Sequence, residues 1–535
     1  MRIISTYAGH ESSISFYDNG KITVVELDKL TNTKYFSFHY LSTVEKSELL
    51  DQAMEIAGVE NDFDMWINGS YHSRRNGVLE YKKLENIINT KRMVFGPGHH
   101  TCHAHSAFWQ SPFDKAWLVS SDGGGNDGYF NIYHCDRVHG PQPDEQIDRF
   151  DFGTTYGLIG ATLPQVGRST KWFFDVAGKA MALAGQLDGA PAEHLKTICH
   201  QIYSGSKGGW RELGKVTGLS YHPDKPDTNN ENIKRANWDF QNSNHKHKTH
   251  IHFKDQRLGL KLAKANQVVL QEKFEAILTD RQYNIGLHDD NIIITGGVAL
   301  NINNNENIKN TFNVNTFVPP NPTDGGLSLG GLFWYMHLVG LPVPDQDYKF
   351  SGTPLIENKK FKKKRKSSIK ALAKMIKDGA ILGIVEGQSE LGPRALGHRS
   401  IICDPSNKDV VERLNKEIKH REWYRPFAPI MLEDQLEHVE THSTDDLTKM
   451  SYATKVSLDF ERKYPAVVHV DGTARVQICE DKDSTVYKLL QEIGTPLLNT
   501  SFNDNGYPIV ASTEDAYMML PSLDGIVING VLIKE

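Results

Sequence analysis

Between residues 98 and 108 the chain reads G-H-H-T-C-H-A-H-S-A-F, which sets His99, His100, His103 and His105 around Cys102. Imidazoles bind divalent metals. On a helix turning about 100° per residue, His99 and His103 lie within roughly 40° of each other and one turn apart, so both can close on one ion. His100 and His103, three residues apart, offer a second pairing. His105 points elsewhere. The competing explanation is ordinary surface or hydrogen-bonded histidines in a helix, and spacing leaves both metal pairings open.

A second concentration of chemistry lies near the C-terminus. The segments QSELGPRALGHRSIICDP, LNKEIKHREWYRPFAPIMLED, HVDGTARVQ and PLLNTSFNDNGYPIV supply Arg394, Arg399, Lys416, Lys419, Arg421, Arg425 and Arg475 close to Gly and Pro turns. Arginine forks pair with phosphate oxygens and lysines add point charge, so the set suits a multiply charged anion such as a triphosphate. Ser501 and Asn503 extend the ring of donors. Scattered arginines more often form surface salt bridges; the turn-rich contexts G-P-R-A-L-G and R-P-F-A-P favour the anion site.

These groups need elements to hold them. IISTYAGH and SISFYDNGKITVVEL read as strands with a hairpin turn at Asn19-Gly20. AWLVSSDGGGNDGYFNIYHC repeats a strand, a glycine turn and a strand, NIIITGG precedes the helix-like VALNINNNENI, and VPPNPTDGGLSLGGLFWYM opens a small-residue helix after an acid. Such units, with an acid in the turn, are how actin-like and sugar-kinase-like folds hold phosphates on bare backbone N–H groups. The pattern breaks at 200–255, a polar stretch carrying Trp210, Tyr221, Trp238 and Phe240, and again near 343–367, where NKKFKKKRK reads as an exposed charged linker. After it, SSIKALAKMIKDGAILGIVEG gives an amphipathic helix feeding a strand and starts a separate α/β domain.

At 535 residues the chain exceeds one ordinary core, and two or three domains are expected. With 39% hydrophobic and 24% charged residues it is neither disordered nor fibrous, and a net charge of −6 gives no whole-chain basic footprint for nucleic acid. Five scattered cysteines without a C-x-x-C favour a reducing compartment. MRIISTYAGHESS lacks the features of a signal peptide, and no apolar run reaches the roughly 18 residues of a membrane helix. A cytoplasmic protein without a membrane partner is expected.

The segments HHTCHAHSAF, ITGGVALN, PPNPTDGG, ELGPRALGHRSI, REWYRPFAP, DGTARVQ and LNTSFNDNGYPIV, in that order, resemble the O-carbamoyltransferase family of the nodulation, cephamycin and tobramycin carbamoyltransferases. The resemblance implies an α/β chain. Residues 1–345 would form an actin-like ATPase (ribonuclease H-like) domain for carbamoyl transfer, with an insertion at about 200–255. Residues 346–366 would form the basic linker, and 367–535 a smaller YrdC-like α/β domain whose T-S-F-N-D-N-G-Y-P resembles a nucleotide loop. It further implies that carbamoyl phosphate and ATP, the latter with magnesium, give carbamoyl adenylate, whose carbamoyl group passes to an acceptor hydroxyl.

Residue by residue, Arg394, Lys419, Arg425, Arg475, Asn499, Ser501 and Asn503 fall on the family's positions for ATP and carbamoyl phosphate. His99, His103, Asp122 and Asp324 fall on its metal positions, where a divalent ion is implied: iron, with manganese or zinc as alternatives. His10 falls on a histidine beside the acceptor and is the candidate general base. Lys34, Gly297 and Asn301 resemble adenylate or acceptor contacts, His100 becomes a candidate for facing the substrate or supporting the ligands, and Cys102 and His105 take structural roles. The chain departs from the family pattern at Glu11 (usually Asp), at Ala177 of Ala177-Gly178-Lys179 (usually Glu) and at Gln388 (usually Arg), the last removing a charge expected near the nucleotide.

The acceptor expected from the resemblance is a hydroxyl-bearing natural product or saccharide. A rival is a hydroxymethylated pyrimidine in DNA, such as hydroxymethylcytosine, because the 200–255 insertion interleaves Lys, Arg and His with aromatics, as a stacking and phosphate-tracking surface does. Two further readings are a threonylcarbamoyl-type nucleic-acid modification enzyme and a nucleotide-binding regulator.

Overall fold

Alternating apolar residues at the N-terminus build three adjacent antiparallel strands, β1 (Ile3–Tyr7), β2 (Ser13–Asp18) and β3 (Lys21–Glu26). Asp18 faces Lys21 across the turn, and Asn19 and Gly20 both take positive φ (51° and 81°), the backbone that matches the twist of a tight hairpin. The computed structural model describes residues 1–69, 82–146, 150–167, 170, 172–217, 256–285, 291–361, 364–440 and 446–534. β4 (Met65–Asn68) and β5 (Met93–Phe95) join β1 in parallel, giving the order β3-β2-β1-β4-β5.

The second sheet repeats this plan. β6 (Lys115–Ser121), β7 (Phe130–Asp136) and β8 (Gly140–Gln146) form the antiparallel meander, and β9 (Asn291–Thr295) and β10 (Asn315–Phe317) add in parallel, in the order β8-β7-β6-β9-β10. The expected repeated strand and glycine-turn units are therefore two copies of one mixed five-stranded unit, and the N-terminal region has the actin-like α/β fold.

Two helices meet between the sheets. His99–Gln110 packs on the second sheet, and Leu327–Leu338 packs on β1 and β2 of the first. Small residues let them approach: Ser328 Oγ lies 2.7 Å from Ser13 Oγ and 2.8 Å from Ser15 Oγ, and a Cβ on Gly330 would stand 1.9 Å from the Cys102 carbonyl oxygen. This crossing fixes the histidine helix against both halves.

The C-terminal region carries an eight-stranded mixed sheet. Its strands are β11 (Lys364–Lys366), β12 (Leu382–Val385), β13 (Arg399–Cys403), β14 (Ala428–Met431), β17 (Gln477–Ile478), β18 (Leu497–Ser501), β19 (Gly525–Ile528) and β20 (Val531–Ile533), and β15 (Thr454–Lys455) and β16 (Thr473–Ala474) form a separate ribbon. The spatial order is β11-β20-β19-β12-β13-β18-β14-β17. The expected helix-into-strand start is present as Ile369–Lys377, capped by the Ser368 side chain, followed by β12.

Two expectations need correction. The stretch 346–366 is not a free tether: Gln346 bonds both backbone groups of Ile22 in the edge strand β3, Val24 N–H donates to Ser351 O (2.9 Å), and Ile356 N–H donates to Ala511 O (3.0 Å). Its lysine-rich end is β11, an edge strand paired with β20, and edge strands commonly carry lysines. The break at 200 is also part helix. Glu193–Tyr203 and Lys207–Thr217 turn Ile202, Tyr203 and Leu213 into the core, and half-buried Trp210 packs against the same cluster. Residues 218–255, with Tyr221, Trp238 and Phe240, lie outside the described residues. No helix among the described residues is long and apolar enough to cross a membrane.

The two regions interlock. Lys29, buried beside Glu26, donates to the carbonyls of Glu390 (2.8 Å) and Gly392 (3.0 Å), while Glu26 accepts from Gly392 N–H at 3.0 Å. Gly392 has φ +96°, and a Cβ there would lie 2.6 Å from Pro320 O, so this crossing demands glycine. Gly330→Ala should destabilise the protein by at least about 1–3 kcal/mol, the ordinary range for overpacking, and lower its apparent melting temperature in a thermal scan; an unchanged melting curve would show that the helices can separate at little cost.

Candidate functional site

The histidine helix begins where the D-G-G-G-N-D-G turn reaches it. His99 N–H donates to Asn126 Oδ1 (2.8 Å), His100 N–H to Asp127 Oδ1 (2.8 Å), and Thr101 N–H to Asp127 Oδ2 (3.2 Å). These carboxylate and amide oxygens take up the free amides of the first turn. Gly98 leaves room for them, since a Cβ there would overlap Asp127 Oδ2 at 2.0 Å. The glycine-rich turn that resembles a phosphate loop thus caps the metal-type helix, a role for Asp127 that sequence reasoning misses.

Four side chains converge at the helix start. His99 Nε2 and His103 Nε2 are 3.2 Å apart; Asp122, just after β6, places Oδ2 3.1 Å from His103 and 3.7 Å from His99. Asp324, opening the turn into Leu327–Leu338, places Oδ1 3.4 Å from His99 and 3.5 Å from His103. All four donor atoms lie within 4.8 Å of one another. Ligands about 2.1 Å from one tetrahedral ion stand about 3.4 Å apart, so two imidazoles and two carboxylates at these separations fit a divalent ion of the imidazole- and carboxylate-binding class. Gly297 N–H, at 3.1 Å, holds Asp122 Oδ2.

Electrostatics binds the cluster together. Burial alone would deprotonate His103, but Asp122 and Asp324 outweigh it and raise its pKa to about 9. Burial would push Asp324 up, yet His99 and His10 hold it well below the usual carboxylate range. Tyr7, whose proton is retained because burial and Asp324 drive its pKa far up, donates to Asp324 Oδ2 at 2.5 Å. His10 Nε2 lies 3.3 Å from the same oxygen and its Nδ1 3.7 Å from Glu11. Against burial, Asp324 and Glu11 raise His10 to about 9. Tyr7 reads in sequence as a core residue of a strand, and nothing in its neighbours marks it.

The remaining predicted residues divide. His100 faces away from the cavity: its ring nitrogens meet Ser120 Oγ (2.7 Å) and Gly128 O (2.8 Å), and burial with repulsion from His99 and His103 lowers its pKa to about 4. It supports the turn and is not among the side chains that line the cavity. His105 is also buried, beside Trp109. Lys34 reaches the cavity and is ion-paired with Asp175, which also accepts from Tyr35 OH at 2.8 Å. Asn301 lines the cavity, exchanges amide hydrogen bonds with Gln267, and caps the helix Ile302–Phe312.

The C-terminal cations gather around the other end of this cavity. Arg394, Lys419, Arg421, Arg425 and Arg475 all line it; among the described residues, Arg394, Lys419, Arg421 and Arg475 make no ion pair. Burial and the neighbouring Arg425 push Arg475 down to about 10; burial and like charges push Arg394, Lys419 and Arg421 well below their usual ranges. Arginine does not surrender its proton under such conditions, so the cluster calls for an anion. Lys419 already spends its donors on Ser501 O (2.8 Å), Asn503 O (2.7 Å) and Asn503 Oδ1 (2.7 Å), which makes it the anchor of the T-S-F-N-D-N-G-Y-P loop. Ser501 Oγ donates to Asn503 Oδ1 (2.6 Å), and Asn499 binds Ala395 O (2.9 Å) and Gln477 (2.7 Å). Arg399 and Lys416 do not join them: Arg399 is buried on the carbonyls of Glu386 and Gly387, and Lys416 is an exposed partner of Glu412.

Both clusters open into one cavity of about 790 Å³. Of the departures noted above, Ala177 lines it, whereas Gln388 reaches Gly352 O and stands outside, so its exchange for arginine takes no charge from the cavity wall.

The chain matches the family described as Carbamoyltransferase N-terminus over residues 3–332 and Carbamoyltransferase C-terminus over 373–535. It is 29% identical to nodulation protein NolNO of Sinorhizobium fredii, over 84% of this chain and 65% of that protein, and 33% identical to nodulation protein NolO of Bradyrhizobium diazoefficiens, over 50% of this chain and 54% of the relative. The chain therefore spans less than two thirds of the length of these two relatives. Nodulation protein U of Rhizobium tropici is 26% identical, over 100% of this chain and 96% of that protein. Among solved structures, a phosphate- and nucleotide-bound HypF aligns with a TM-score of 0.34 and 11% identity, covering 64% of this chain and 47% of HypF.

Metal capture should follow pH. His103 must lose its proton to bind an ion, and Asp122 and Asp324 favour that proton up to about pH 9. Affinity for Mn(II), followed by titration between about pH 6.5 and pH 8.5, should rise roughly tenfold per pH unit for one displaced proton; a flat profile would show that His103 is not a ligand.

Proposed function

We propose, from the premise that the chain belongs to the carbamoyltransferase family, that it is an ATP-dependent O-carbamoyltransferase working through carbamoyl adenylate. The observation that carries this reading is the single cavity with a metal-type donor set at one end and an arginine cluster at the other. The cations suit two phosphate-rich substrates, carbamoyl phosphate and magnesium ATP. Water adds to the carbonyl carbon of the first and its bond to the phosphate oxygen breaks, giving carbamate and phosphate; carbamate oxygen then attacks the α-phosphorus of ATP, forming the mixed anhydride and expelling pyrophosphate. Arg394, Arg421, Arg425 and Arg475 hold the oxygens on which charge accumulates, and Lys419, Ser501, Asn503 and Asn499 hold the loop against them.

The anhydride is labile to water, and a route inside the same cavity protects it. At the other end His99, His103, Asp122 and Asp324 would hold a divalent ion, iron with manganese or zinc as alternatives, which when bound supplies Lewis acidity toward a phosphate or carbonyl oxygen. His10 takes the proton of the acceptor hydroxyl as its oxygen attacks the carbamoyl carbon and AMP leaves. Asp324 and Glu11 favour the protonated form of His10; a divalent ion held by Asp122 and Asp324 would offset the Asp324 charge and favour the basic form. Gly297 fixes Asp122, and Lys34 and Asn301 stand on the wall where adenylate or acceptor passes.

Tyr35, Phe173 and Phe174 line the cavity beside His10, with the Phe174 ring 4.6 Å from the His10 ring. Their apolar faces support an acceptor with a flat ring face, which both a saccharide and a hydroxymethylated pyrimidine offer. The family expectation is a natural product or saccharide; DNA carrying hydroxymethylcytosine is the second reading. Mass spectrometry of an acceptor panel containing both, after incubation with ATP, carbamoyl phosphate and metal, should find the added carbamoyl group on one class.

The two ends should separate by mutation. Pyrophosphate release from ATP should require carbamoyl phosphate, and its absence in metal-loaded protein would point instead to the nucleotide-binding regulator or the threonylcarbamoyl-type enzyme. Arg475→Ala should slow that release by about 10²–10³-fold, as loss of a charge-stabilising donor does. His99→Ala or His103→Ala should abolish transfer yet keep pyrophosphate release; loss of both half-reactions would contradict this division of labour.

A further inference from the structure

The helix Phe174–Ala184 runs along the cavity wall and touches both halves of the proposed reaction. At its start Phe174 lies 4.6 Å from the His10 ring and 4.9 Å from the Tyr35 ring, and Asp175 holds Lys34 and the Tyr35 hydroxyl. Near its middle Lys179 Nζ is 2.5 Å from Glu422 Oε1. The other oxygen of that carboxylate, Oε2, is 3.3 Å from Arg425 Nη1, in the anion cluster. At its end Ala182 O meets His469 Nε2 (2.9 Å), and Gln186 reaches Tyr424 O (3.2 Å). A Cβ on Gly185 would stand 2.2 Å from the His469 ring, so this end is pressed against the C-terminal region.

Glu422 is thus shared between a cation of each region. Lys179 and Glu422 are 10% and 15% exposed, so their attraction is little screened, whereas Arg425 is 34% exposed and makes one longer contact. An anion arriving at Arg425 competes for the guanidinium with the weaker side of this bridge and leaves the whole carboxylate charge to Lys179. We infer that Lys179 and Glu422 are positioning residues that tie the placement of the helix Phe174–Ala184, and with it Phe174 against His10 and Asp175 on Lys34, to occupancy of the arginine cluster by a phosphate-bearing ligand. The inference rests on the proposed nucleotide role of that cluster. Coupling of this kind is reciprocal: a ligand seated against Phe174 changes nucleotide affinity by the same factor.

The test uses the full chain, with magnesium ATP as probe, calorimetry for affinity and amide hydrogen exchange for the peptide spanning 172–184. In the wild-type protein ATP should bind and slow exchange in this peptide by about five-fold or more, the lower end of ordinary site-to-site coupling. Glu422→Gln and Lys179→Met should bind ATP without slowing it, and Lys179→Arg should restore the effect. ATP binding with no change in the wild-type peptide, or full slowing in both neutral variants, would overturn the inference. So would a loss of ATP affinity beyond about ten-fold in these variants, which would put the pair inside the anion site. Failure of the wild-type protein to bind ATP would show in the calorimetry and would remove the nucleotide role itself.

Discussion

Asp122 follows β6 of the second sheet and Asp324 opens the helix that packs on the first, and their carboxylates reach the same pair of imidazoles in a buried setting where like charges repel strongly. Much of the neighbouring structure offsets that repulsion. Protons on His103 and His10 compensate the charge, Tyr7 donates to Asp324, and Gly297 N–H donates to Asp122. The histidine helix stays in register because Asn126 and Asp127 close its first turn and because Gly330 lets the neighbouring helix press against it. A divalent cation held by the same four side chains would compensate that charge in place of those protons. The opposite end of the cavity is its mirror image in charge, with arginines gathered faster than carboxylates. One space lined by carboxylates at one end and by arginines at the other suits a ligand whose own charge is uneven along its length.

Much of this site is legible in the chain because its parts obey short-range rules. His99 and His103 are one helical turn apart, but His100 and His103 are a rival pair on spacing alone, and it is the resemblance to the family that picks out Asp122 and Asp324 in their glycine turns. The duplicated sheets are visible wherever strands alternate or follow an Asn-Gly turn, as at β2 and β3, and fade where strands are only three residues long, as at β5 and β10. Tyr7 and Asp127 escape because their roles exist only across the fold. Tyr7 becomes a donor to Asp324 when that residue, 317 positions away, is brought beside it, and Asp127 becomes a cap when its turn folds back onto the helix.

The sequence misleads where a charge is taken for solvent exposure. Lys364–Lys366 belongs to a run of lysines yet completes a sheet edge through its backbone pairing with β20. Arg399 is fully buried because its guanidinium is consumed by carbonyls, and Lys419 is likewise spent on a loop. His100 is one residue from His99, but a step of about 100° around the helix turns it to the sheet behind. A one-dimensional pattern gives direction around an element; it does not say what waits in that direction.

The clasp formed by Glu26, Lys29 and Gly392 has a consequence for modularity. Glu26, Lys29, Gly392 and Arg394 all border the cavity, so the wall of the proposed chamber is assembled from both regions and belongs to neither. The stretch after residue 345 is likewise bonded to strands of each. A chimera that exchanges one region for that of a relative inherits half a wall. For such an exchange to preserve the chamber, the residues facing the seam must travel together, which makes the seam, rather than either folded region, the unit of interchange.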